Sequence, residues 1–276
     1  VLGVVILREI VAGKNWRNLI VLAMLAVFAL GNALFHWEAA RGDYAAQGHG
    51  LRLGLAAVVM MIAVIGGRIV PSFTRNWLAR RGAGRLPVPP MQRFDKGALL
   101  VLLVALGMWV TRPEALATGG ALVVVGVVHA ARLARWAGER TGAEPLVWVL
   151  HLGYAFVPLG ALGIGLEALS SGVFGAAAVQ HLWMAGAAGL MTLAVMTRAT
   201  LGHTGRALTA GSGTVALYLA LVVSVLARLA AGLWPAEAVL LHALAGIAWI
   251  GAFGGFAVLY GPLMLRLKPA KTIPGA

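Results

Sequence analysis

The feature that most constrains this chain is a series of long apolar runs almost free of charge. The run 19–36, LIVLAMLAVFALGNALFH, holds no Asp, Glu, Lys or Arg. A helix rises about 1.5 Å per residue, so about 20 apolar residues cross a hydrocarbon core of about 30 Å. Seven more runs follow, at 51–70, 97–110, 119–133, 146–166, 173–197, 213–233 and 238–265. None alternates as a barrel strand does, and lipid demands that backbone groups be satisfied within each segment. The expectation is all-α: a polytopic transmembrane helical bundle of about eight spans, one domain over 1–276. Composition excludes the soluble and disordered alternatives. Apolar types make up 61% and charged types 11%, against about 45–50% and about 25% in soluble domains.

Loop charge predicts a direction. When the two sides are numbered alternately, all but Arg41, Arg52, Arg112 and Arg228 of the 22 Lys and Arg residues fall on one side. The positive-inside rule makes that side cytoplasmic. It also accounts for the net charge of +13 without nucleic acid. The chain opens at Val1, and the apolar stretch 1–7 is too short to span. It reads as the tail of a preceding helix, with the chain as the C-terminal two-thirds of a longer protein. The largest cytoplasmic loop is expected at 71–96, which carries four of the prolines.

No cysteine is present. Disulfides, thiolate ligands and thiol nucleophiles are therefore excluded, and metal chemistry falls to seven histidines. Ionisable groups inside a membrane are functional candidates by default. Helix rise places His36, His49, His181 and His242 in the outer half, with His181 about 12 Å and His242 about 6 Å below their outer span ends. His129, His151 and His203 lie toward the inner side, with His151 about 8 Å in. Neutral imidazole suits iron, copper and zinc, and a haem needs one or two axial ligands from facing helices. A histidine near a helix end can equally donate to a backbone carbonyl. No HxxxH, Walker, GxSxG or HExxH pattern occurs.

Other candidates each carry a plainer alternative. Tyr154 follows His151 by one turn and can bond a ligand or pack in the core. Arg68, Arg132 and Arg198 end spans, where they can snorkel or hold haem propionates. Glu38 can orient His36 from the second coordination layer or sit in solvent. Met184, one turn after His181, can be a soft ligand or core filling.

Five strings then occur together: GNALFHWEA at 31–39, GGRIVPSFTRNW at 66–77, HAARLARWAGERT at 129–141, VWVLHLGYAFVPLG at 147–160 and QHLWMAGAAGLMTLAVMTRATLGHTGR at 180–206. In order and spacing the chain resembles the NnrS family of bacterial inner-membrane proteins. The resemblance covers nearly the whole chain and implies haem b and copper, with roles in nitric oxide metabolism, denitrification and resistance to nitrosative stress. It carries over His36, His129, His151, His181 and His203, leaving His242 outside the shared strings. The resulting candidates are His151, His181, His129, His36 and His242 for cofactor binding, and His151, His181 and His203 for metal. Nitric oxide is the expected small-molecule ligand and membrane lipid the expected surroundings. The rival readings are a quinol-dependent nitric oxide reductase-like enzyme and a proton-coupled transporter with a histidine relay.

Overall fold

The computed structural model describes residues 2–265 apart from 83, 171 and 174. Arg266, Lys268 and Lys271, counted above on the basic side, lie outside the described residues. The chain is helical, with no strand among the described residues. A short helix, α1 (Leu2–Ala12), precedes eight helices long and apolar enough to cross a membrane. These are α2 (Leu19–Ala40), α3 (His49–Leu78), α4 (Arg93–Thr111), α5 (Leu116–Ala134), α6 (Pro145–Ser170), α7 (Ala176–His203), α8 (Ser212–Leu233) and α9 (Pro235–Leu265). The expected eight-span helical bundle is what forms.

Two limits move. The short runs 97–110 and 119–133 lengthen to 19 residues each as α4 and α5. The loop expected from residue 71 begins only after Leu78, because α3 continues through Pro71. The hydroxyls of Ser72 and Thr74 donate back to the carbonyls of Arg68 and Val70 at 2.6 and 2.8 Å. Such side-chain bonds are one way a membrane helix accommodates a proline. Shortly before it, α3 passes through a π turn at Ile62–Gly66, and α7 through a longer one at Leu182–Leu190.

Neighbouring helices pair as antiparallel hairpins, and glycine sets how closely they approach. At α2–α3, a Cβ on Gly31 would lie 2.5 Å from the Gly54 nitrogen. At α5–α6, a Cβ on Gly165 would lie 2.8 Å from the Gly119 carbonyl oxygen. Such backbone contact suits a membrane, where dispersion replaces the hydrophobic effect between helices. Polar bonds add to it. Thr197 pairs with Tyr218 at 2.6 Å, Thr214 with Tyr260 at 2.7 Å, and Ser224 donates to the Ala245 carbonyl at 2.8 Å, tying α7, α8 and α9 together. The core runs through α3, α6 and α7, with Trp109 and Trp183 edge-to-face at 5.3 Å. α2 and α9 flank it and are largely exposed.

Glu38, at the end of α2, folds over the start of α3. Its carboxylate accepts the His49 N–H at 2.8 Å and the Gly50 N–H at 3.2 Å. A carboxylate there satisfies orphan amides and meets the positive end of the helix dipole. Glu38→Ala is expected to lower bundle stability by about 1 kcal/mol, read as a fall in the thermal midpoint in detergent. An unchanged midpoint would show that water caps α3 equally well.

Candidate functional site

On the basic side the structure assembles a buried polar cluster from four helices. Asp95 is the third residue of α4. One carboxylate oxygen accepts the Gln92 N–H at 3.0 Å and closes a capping box. The other accepts Arg132 Nε at 2.8 Å. Arg132, on α5, is fully buried. Its Nη1 donates to the Ala63 carbonyl at 2.9 Å and to the Tyr154 hydroxyl at 2.8 Å. Ala63 lies in the π turn of α3. Gly67 leaves the space that Nη2 occupies, and a Cβ there would collide with the guanidinium.

Donor roles follow from chemistry. A guanidinium only donates, so the Tyr154 oxygen accepts from Arg132 and its proton points to His129 Nδ1, 2.9 Å away. His129 Nε2 then carries the remaining proton and donates to the Ala98 carbonyl at 3.2 Å. Both ring nitrogens of His129 are engaged by protein, so in this arrangement it offers no lone pair to a metal. Trp136 packs on Tyr154, with ring centres 4.5 Å apart.

His151 sits one turn before Tyr154, 8% exposed. The Thr74 hydroxyl donates to Val70 and so accepts His151 Nε2–H at 2.7 Å. His151 Nδ1 keeps its lone pair, buried without a protein hydrogen bond among the described residues. Gly138 lies directly against that nitrogen, following Ala137 at φ 55°. Arg85 braces this loop by donating to Glu139 at 2.6 Å. Burial opposes the charge on Glu139. Its own backbone N–H and Arg85 outweigh burial, and its carboxyl is held below the ordinary value.

On the opposite side, His181 Nδ1 donates to the Ala177 carbonyl at 2.6 Å, which leaves Nε2 as the acceptor. His181 lines a groove of about 430 Å³ with Met184, Arg228, Ala245, Gly246 and Trp249, between α7, α8 and α9. His242 is close enough to act on His181 electrostatically but does not line the groove. His36 is exposed and stands edge-on to Phe35. Glu38 serves the α3 amides rather than His36.

The remaining candidates lie apart. His203 lines a groove of about 530 Å³ with Met196 and Met264 at the basic end of α7. The Arg198 guanidinium lies 4.3 Å over the Phe73 ring. Arg68 borders a groove between α1, α2 and α3. Among the described residues, no three His, Asp or Glu side chains converge as a metal-binding group.

Asp95, Thr74, Trp136 and the cradle glycines Gly67 and Gly138 were not singled out from sequence. For Asp95 a signal exists in the Gln-x-x-Asp spacing of a capping box. Nothing along the chain links it to Arg132.

A search of curated proteins and of solved structures finds no match to the chain. A family model described as "NnrS protein" matches residues 1–268. The chain therefore belongs to the NnrS family.

Proposed function

We propose that this chain is a haem- and copper-binding protein of the bacterial inner membrane, acting in nitric oxide metabolism, denitrification and resistance to nitrosative stress. Its basic loops face the cytoplasm, as the sidedness of Lys and Arg favours. Family membership supports the nitric-oxide-related role. The observation that carries the haem assignment is the state of His181. Its Nδ1 is fixed on the Ala177 carbonyl and its Nε2 is left as an acceptor in a groove that also holds Arg228. A carbonyl partner on the second nitrogen orients imidazole for a metal and raises its basicity.

The groove fits one haem held from one side. His181 would hold the iron, and Arg228 would pair with a propionate near the membrane surface. Ala245 and Gly246 keep one wall low enough for a flat ring, and Trp249 closes the deeper end. Bound there, haem would supply a coordination position reachable by a small apolar diatomic from the lipid. For copper the fit is at the other end of α7. His203, Met196 and Met264 share one groove, and an imidazole with two thioethers is a donor set that suits cuprous ion. His129 has no free nitrogen, and His151 presents its lone pair to Gly138.

The test is the optical spectrum and iron content of the purified full-length protein. Wild type is expected to show a Soret band. His181→Ala is expected to lose at least about fivefold of bound haem, because a metal ligand has gone. His36→Ala, altering an exposed residue, is expected to retain it. No Soret band in wild type, or equal haem in wild type and His181→Ala, overturns the assignment.

A further inference from the structure

The geometry points to a quinone-binding site in the groove between α1, α2 and the basic half of α3. The groove encloses about 580 Å³. Its lining divides into two kinds. Glu9, Asn15, Asn18 and Arg68 supply a carboxylate, two amides and a guanidinium. The rest is aliphatic, including Ile6 and Ile65. No side chain of the polar four makes a hydrogen bond among the described residues, so their capacity is available to a ligand. Three of the four stand where helices meet the basic side. Glu9 is in the last turn of α1, Asn15 in the connection, and Asn18 just ahead of α2. The aliphatic wall runs toward the lipid, with Val5 50% and Ile65 37% exposed.

This division selects an amphiphile with a polar head at the interface and an apolar tail along the helices. Charge narrows the head further. Glu9 and Arg68 sum to zero, and a carboxylate in the lining disfavours an anionic phospholipid. A neutral head with hydrogen-bonding oxygens on opposite edges suits this set. Glu9 accepts from a hydroxyl, while Arg68 and the asparagine amides donate to an oxygen. A benzoquinol or quinone on an isoprenoid tail has that form. Binding is the whole of the inference, and it stands independently of the haem assignment.

The experiment quantifies quinone extracted from the protein purified in mild detergent. It then measures binding of a short-chain ubiquinone analogue to the protein in nanodiscs. Wild type is expected to carry quinone and to bind the analogue. The double variant Glu9→Gln/Arg68→Gln is expected to lose at least tenfold in both, while its thermal midpoint and Soret band stay as in wild type. Equal quinone in wild type and variant overturns the site. So does phosphatidylglycerol co-purifying in place of quinone and lost with Arg68→Gln, which assigns the groove to an anionic lipid. If the double variant fails to fold, Glu9→Gln alone decides. A quinone site loses affinity when its acceptor is neutralised, and an unchanged or improved affinity overturns it.

Discussion

Replacing Arg132 with Met is expected to destabilise the bundle by about 3–5 kcal/mol, the range for breaking one partner out of a buried ion pair. The substitution removes the donor to Asp95, Ala63 and Tyr154 at once. It leaves the Asp95 carboxylate, 3% exposed, facing an apolar side chain. It also removes the donor that sets the direction of the Tyr154 hydroxyl toward His129. The companion change makes the result diagnostic. Asp95→Leu with Arg132→Met removes both charges, and buried ion pairs replaced by packed apolar groups are often neutral or stabilising. The double variant is therefore expected to recover most of the loss. Its remaining deficit reports the Gln92 cap and the Tyr154 bond. Thermal unfolding followed by tryptophan fluorescence is a suitable readout, because Trp136 lies beside Arg132 at 5.4 Å. A single variant as stable as wild type would mean that the cluster adds nothing to the fold. A double variant no better than the single would place the cost in lost packing rather than in the uncompensated charge.

The second large effect is expected at the α5–α6 contact. Gly165→Leu drives a side chain into the Gly119 carbonyl, backbone that cannot move aside without separating the two helices. Overpacking of this kind costs about 1–3 kcal/mol in a well-packed core, and more where the obstacle is backbone. A control lies on the same hairpin. Gly120, next to Gly119 on α5, has open space where its Cβ would stand. Gly120→Leu is expected to be near neutral, since it faces outward and adds apolar surface to lipid. Folded yield after membrane extraction, with the thermal midpoint, separates the two. Equal loss at both positions would point to helix propensity or insertion rather than to interhelical contact.

Much of the architecture was legible because lipid makes it local. A run such as 19–36 must be a helix whatever packs beside it, so its place could be read from its own residues. The same locality explains the short reading of α3. Pro71 and the polar residues after it look like a helix end, but Ser72 and Thr74 bond backward and the helix continues to Leu78. The site was less legible because its bonds join residues far apart in the chain. Asp95 and Arg132 are 37 residues apart. His129 could be placed by depth, yet only the positions of Tyr154 and Ala98 reveal that both its nitrogens are engaged. His181 differs because the carbonyl that orients it lies four residues back on its own helix. Glu38 could be read either as a partner of His36 or as a solvated charge, and its bonds run instead to the next helix.

The wide turn Leu182–Leu190 gives α7 a property that a uniform helix would lack. An α-helix advances about 100° per residue, and a π turn absorbs extra residues without breaking the ladder. The two ends of α7 are thus set to different rotational phases about one axis. His181 is keyed to the groove against α8 and α9, and His203 to the separate groove with Met264. Deleting one residue inside the turn would leave each end helical and every side chain chemically intact. It would also swing one end by about a quarter turn relative to the other. The bearing of one histidine groove to the other is therefore stored in the length of this turn.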